Sequence, residues 1–154
     1  MAGTKSTLFP KTRFSFGTLG SGAYQEIVVV RNFDISTARE ATIVGRLHDL
    51  SLGGAGGSGA VKLEIIARGE AQSPDDPGLD FFLGAVGDDG LGKALFDNLA
   101  ASSSPMLKYG LLAGAANVYT NLGPTIRIVV RATQSTSPWS TFDASLSADI
   151  SLKS

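Results

Sequence analysis

Residues 142 to 153 alternate without a break, with Phe142, Ala144, Leu146, Ala148, Ile150 and Leu152 set against Asp143, Ser145, Ser147, Asp149, Ser151 and Lys153. Successive side chains of an extended chain point to opposite faces, so this pattern demands a β-strand with one apolar face on a core and one polar face in water. A helix would scatter the same apolar residues around its circumference. Such a strand needs neighbours for its backbone and a second layer for its apolar face, which commits the chain to a packed sheet. Just upstream, Ile126, Ile128, Val130 and Ala132 alternate with Arg127, Val129 and Arg131, and the intervening "QSTSPWST" (134–141) is turn material. The two segments are expected to form an antiparallel pair.

The same reading extends toward the N-terminus. "YQEIVVVRNF" (24–33) is rich in β-branched residues and lies between "GSGA" and Asp34, a strand with its boundaries marked. "REATIVGRLHDLSL" (39–52) sets Ala41, Ile43 and Leu47 against Thr42, Arg46 and His48. "AVKLEIIARGEA" (60–71) sets Val61, Leu63 and Ile65 against Lys62 and Glu64, and the turn "SPDDPG" closes it. "LDFFLGAV" (79–86) reads as a short strand. One segment, "DDGLGKALFDNLA" (88–100), has helical spacing, with Leu91, Leu95 and Leu99 on one face and Asp88 or Asp89 as a cap. Its two glycines predict a short helix.

The expected fold is all-β: an antiparallel β-sandwich or jelly roll of about eight strands with one short helical insertion near residues 89 to 101. Residues 1–154 are expected to form a single β-sandwich domain, with residues 1–12 as an N-terminal arm that adds a strand at an edge. A chain of 154 residues is long enough to bury roughly 70% of its unfolded surface in one core.

Composition narrows the chemistry. Thirteen basic and 14 acidic residues leave a net charge of −1, and the basic residues are scattered, so neither a nucleic acid nor a membrane is an expected partner. There is no cysteine, which removes disulfides, thiolate metal sites and cysteine nucleophiles by inventory. "MAGTKSTLFPKTRFSFG" lacks the apolar core of a secretion signal, so a cytoplasmic product or a cytoplasmically assembled one is expected.

One stretch does invite an enzymatic reading. Gly54-Ala55-Gly56-Gly57-Ser58-Gly59 satisfies the G-x-G-x-x-G pattern of a dinucleotide-binding turn. That turn works only between a strand and a helix whose N-terminus meets the pyrophosphate. Here Val61 to Ile65 continue at period two, so the Gly53–Gly59 loop is expected to join two strands, and no cofactor is expected. His48 is the sole histidine, and its neighbour Asp49 is expected on the opposite face of the strand, a poor geometry for a relay. Asp75-Asp76 reads as a turn and Asp88-Asp89 as a helix cap, with Asp80 between them, and their spacing fits no calcium loop. No catalytic residue, cofactor or metal ligand is expected.

Two groups of residues remain as a candidate interface or ligand surface. Tyr24, Tyr109, Tyr119 and Trp139 are the aromatics able to form a flat platform, with Trp139 in a turn near the rim. "GLLAGAANVYTNLG" (110–123), which includes Leu111 and Leu112, is apolar and small for a connection. An aromatic platform points to a carbohydrate-binding module and a glycan partner, whereas an apolar connection packed on a neighbour points to self-association.

"VVVRNFDISTAREATIVGRLHDLSL" (28–52), "GSGAVKLEIIARGEAQSPDDPGLDFF" (57–82) and "GPTIRIVVRATQS" (123–135) together resemble small β-sandwich structural proteins of bacteriophage and prophage virions. The resemblance implies a non-enzymatic virion component of head-decoration, minor capsid or tail type. It also implies a homo-oligomer that contacts other particle proteins. Assembly is thus the first functional expectation, and the carbohydrate-binding module is the alternative.

Overall fold

Alternation becomes sheet structure in a computed structural model that describes residues 4–38, 40–70, 93–111 and 125–153. Among the described residues the strands are β1 (Thr4–Ser15), β2 (Tyr24–Asp34), β3 (Glu40–Gly53), β4 (Val61–Gly69), β5 (Lys93–Leu99), β6 (Met106–Leu111), β7 (Thr125–Thr133) and β8 (Thr141–Lys153). They form two four-stranded sheets, β1-β8-β3-β6 and β2-β7-β4-β5, called sheet A and sheet B below. Every pairing is antiparallel.

The pairings nest. Strand β1 pairs with β8, β2 with β7, β3 with β6 and β4 with β5, as in one long hairpin. Rolling that hairpin up adds the contacts β3–β8 and β4–β7, which complete the two sheets. This order is a jelly roll, an architecture in which two Greek keys share one core.

The inner faces carry the apolar sets of the alternating strands. Phe142, Ala144, Leu146, Ala148 and Ile150 of β8 face Leu63, Ile65, Ile128 and Val130 of sheet B in one buried cluster. Phe9, Phe14, Phe16 and Phe142 form a run of ring contacts, with centroids 6.3, 6.1 and 5.3 Å apart. The sheets meet closely at Gly45, where a Cβ would lie 2.9 Å from the Ala94 Cβ and 3.0 Å from Ile65 Cδ1.

Two expectations are corrected. The segments now seen as β7 and β8 do not pair with each other, because residues 134–140 carry the chain across the top of the sandwich from sheet B to sheet A. Their apolar faces meet across the core, where the alternation is satisfied equally well.

The expected helix is also absent among the described residues, where Lys93–Leu99 is the edge strand β5. Ala94 and Phe96 point inward at period two, and a bulge then brings Leu99 back inside. On β4 the interval from Val61 to Leu63 matches Leu99 to Phe96, one residue longer, and Asn98 absorbs the difference with φ +53°. The helical reading put Leu95 and Leu99 on one face; in β5 Leu95 lies half-buried on the side opposite Ala94 and Phe96, and the bulge is what returns Leu99 to the core. The remaining expected elements of this region, the strand at 79–86 and the aspartate cap at 88–89, lie outside the described residues.

Residues 4–12 of the expected arm lie within β1, at the edge of sheet A beside β8.

Candidate functional site

The end of the sandwich that carries residues 16–23, 54–60 and 134–140 is tied together by hydrogen bonds. Gly22 N donates to Ser135 O at 2.9 Å, Gln134 N to Ala23 O at 2.9 Å, and Ser58 bridges Ser137. Ser135 Oγ donates to Ser58 O, and Trp139 Nε1 donates to Gly59 O at 3.1 Å. The glycine loop therefore connects β3 to β4, with no helix after it, and its glycines serve close approach. At Gly57 a Cβ would stand 2.6 Å from Trp139 Cε3, so the indole packs directly against the glycine backbone. Trp139 also packs on the core cluster, which makes it a cap over one end of the sandwich.

Among the described residues the aromatic candidates do not share a platform. Tyr24, on β2 of sheet B, is 59% exposed, and the Arg131 guanidinium lies 5.1 Å from its ring centroid. Tyr109, on β6 of sheet A, is 61% exposed. Trp139 sits in the loop end just described. Leu111 occupies the last position of β6, opposite Thr42. Tyr119 and Leu112 lie outside the described residues.

On the outer face of sheet A, Tyr109 borders a half-open groove of about 380 Å³. Its floor comes from β3 and β6, where Val44 pairs with Tyr109 and Arg46 with Leu107. Thr42 and Ser151, directly opposite each other on β3 and β8, bring two hydroxyl groups to it. At its rim Lys5 Nζ lies 3.4 Å from Asp149 Oδ2, and Lys153 Nζ lies 3.8 Å from Glu40 Oε2. Alternation placed Thr42 and Arg46 on the polar side of their strand. That β6 lies beside them is a pairing decided some sixty residues downstream, for which the sequence has no local signal.

Farther along the same face, His48 Nε2 and Ser147 Oγ share a hydrogen bond of 2.7 Å. The expectation that Asp49 points away from His48 fails. A bulge between Leu47 and Asp49 puts Asp49 opposite Ser145, whose hydroxyl donates to its Oδ1 at 3.1 Å. Ser145 and Ser147 are two apart on β8, so both side chains of β3 stand on the outer face. The carboxylate of Asp49 is directed to Ser145 and to Lys11 Nζ at 3.7 Å, and each member of the pair is anchored on a different serine.

Sheet B hides an unexpected amount of charge. Glu26, Arg131 and Glu64 stand in one row across β2, β7 and β4. Arg131 Nη2 donates to Glu26 Oε1 at 2.8 Å, and Arg131 Nη1 lies 3.8 Å from Glu64 Oε1. Arg68 binds Glu26 through both terminal nitrogens. Glu64 and Arg68 are each 1% exposed. Burial alone would raise the pKa of Glu26, but the hydrogen bonds and charges of Arg68 and Arg131 outweigh it and hold the carboxyl below its ordinary value.

Arg127, 2% exposed, donates from Nη1 to Gly69 O at 2.9 Å, while its Nε and Nη2 have no hydrogen-bond partner among the described residues. Burial pushes its guanidinium below the ordinary value. Sequence alternation assigned Glu64 and Arg127 to polar faces, and the sheet buries them regardless. Among the described residues no cluster of three or more histidine, aspartate or glutamate side chains is placed to hold a metal ion. None of these residues forms a helix long and apolar enough to cross a membrane.

These features define a jelly-roll sandwich with one open, groove-bearing sheet face and one sheet whose outer charges are largely covered. No protein-family model matches the chain, and no curated protein sequence matches it. Solved structures do share its fold. Over 97% of its length the chain is similar to the structure of the infectious bursal disease virus Gx strain, with 12% identity and a TM-score of 0.55. Over 98% of its length it is similar to the VP2 subviral particle of infectious bursal disease virus, with 14% identity and a TM-score of 0.50. The chain spans about a third of those chains, 31% and 32% respectively. It is also similar to a xylan-binding module, at 13% identity and a TM-score of 0.46, too low to support an inference about function. The fold is thus of the kind found in virus particle proteins.

Proposed function

We propose that this chain is a non-enzymatic structural subunit of a virion-type particle, acting through contacts with like subunits. Within that class we assign it to a phage-like particle, in a head-decoration or minor capsid position. The observation that carries the reading is the jelly-roll strand order β1-β8-β3-β6 over β2-β7-β4-β5, in a fold similar over 97% of the chain to the structure of a virus. The assignment to phage particles rests on the sequence resemblance over residues 28–52, 57–82 and 123–135.

The physical character of the chain supports assembly. Subunits that pack side by side need a rigid body, and the interlocked loop end and doubly braced strands β3, β4, β7 and β8 supply one. Tyr24, Val28 and Tyr109 are the large apolar side chains left exposed among the described residues, and they lie on edge strands. Edge strands are where another chain is met first.

Sedimentation velocity over a wide concentration range, with electron microscopy of the heaviest fractions, tests the reading. Discrete oligomers that grow with concentration are expected. A species that stays monomeric throughout, and that does not join particles when expressed with its neighbouring genes, would overturn it.

A further inference from the structure

The groove on the outer face of sheet A has a charge pattern of its own. Its cations are unequally engaged: Lys5 is paired with Asp149 and Lys153 with Glu40, whereas Arg46 has neither a hydrogen bond nor an ion pair among the described residues. The groove therefore presents one uncommitted positive charge, on a planar fork suited to bidentate contact with a carboxylate. Beside the fork lie the apolar side chains of Val44 and Leu107 and the exposed ring of Tyr109. Farther along the groove, past Val44 on β3, the hydroxyls of Thr42 and Ser151 each donate and accept, a combination that matches ligand hydroxyl groups. At about 380 Å³ the space lies within the size range of small-molecule sites.

We propose that this groove binds a carboxylate-bearing sugar. Arg46 takes the carboxylate, Tyr109 offers its ring face to the C–H face of the pyranose, and Thr42 with Ser151 binds ring hydroxyls. Net charge selects a monoanion: with Lys5 balanced by Asp149 and Lys153 by Glu40, the single free guanidinium would leave the second charge of a dianionic phosphate unmatched. The paired hydroxyls and the flat ring favour a sugar over an acidic peptide. The proposal does not depend on assembly, because every group it uses comes from one copy of the chain.

Amide-shift titration of the intact protein tests it, with methyl glucuronide as the probe and methyl glucoside as its neutral counterpart. Saturable shifts are expected on β3 and β6 around Arg46 and Tyr109 with the glucuronide and not with the glucoside. Arg46→Met should weaken binding by about tenfold or more, and Tyr109→Ala should weaken it as well, with the remaining spectrum unchanged because both side chains lie outside the core. Inorganic phosphate should not displace the probe. Equal shifts with the neutral sugar, undiminished binding by Arg46→Met, or no saturable shift would overturn the proposal. So would tighter binding of an acetylated aspartate peptide at the same residues.

Discussion

Arg131 is held from several directions, by Glu26 along its own row, by Glu64 across the sheet and by the ring of Tyr24. Glu26 in turn serves two arginines, one of them fully buried. Its carboxyl is held below the ordinary 4.5, so the folded protein binds that proton less readily than the unfolded chain. The stabilisation is therefore present in full above pH 4.5 and is lost as the pH falls through the lowered folded value. Glu26→Gln should lower stability at neutral pH and flatten the acid loss, which denaturant midpoints across an acid pH series would register. An unchanged acid limb would show that the charge row contributes little.

A second residue-scale prediction concerns Gly57, where an added methyl group would meet Trp139 at 2.6 Å. Gly57→Ala should cost about 1–3 kcal/mol by overpacking and shift the emission of the single tryptophan, readable in one thermal melt followed by fluorescence. The glycines were plain in the sequence. That they serve an indole about eighty positions downstream was not, because the two loops meet only when the sandwich closes.

At the scale of the element, β8 and β5 show why one strand was legible and another was not. The inner residues of β8 alternate without interruption, and Ile150 is fully buried where period two placed it. Ile150→Asp puts an unpaired carboxylate into that face, at a cost of about 4 kcal/mol or more, and should leave the protein insoluble or without a cooperative melt. An unchanged melt would contradict the observed register.

In β5 the bulge at Asn98 breaks the alternation, so the inward set Ala94, Phe96 and Leu99 does not keep period two, and the spacing of Leu95 and Leu99 reads as a helical face instead. Asn98 tolerates φ +53° better than a β-branched residue would. Asn98→Val should therefore destabilise by about 1–2 kcal/mol while Asn98→Gly stays near neutral, measured by chemical denaturation. Similar register shifts interrupt β1 and β2, the edge strands beside β8 and β7. Such irregularities discourage uncontrolled edge pairing.

Across the whole molecule, the first described strand closes on the last, with Thr4 opposite Leu152 and Phe14 opposite Ala144. Folding must therefore join residues far apart in sequence, and this topology should fold slowly for its size. Removing residues 1–15 would take Leu8, Phe9 and Phe14 from the core and open the inner edge of β8. The truncated chain should aggregate, or lose its cooperative transition by calorimetry; a soluble fragment with an intact melt would make β1 dispensable. By itself the sequence determined the all-β class, the strand character of the segments that became β2, β3, β4, β7 and β8, and which side of each alternating strand meets the core. Those follow from side-chain periodicity, a property of neighbours along the chain. Only the tertiary structure decided that β7 and β8 face each other across the core, that Arg46 shares a groove with Tyr109, and that the charged row of sheet B is buried. Periodicity states which face a side chain takes, but not which strand lies beside it or what covers the far side, because those depend on contacts between distant segments.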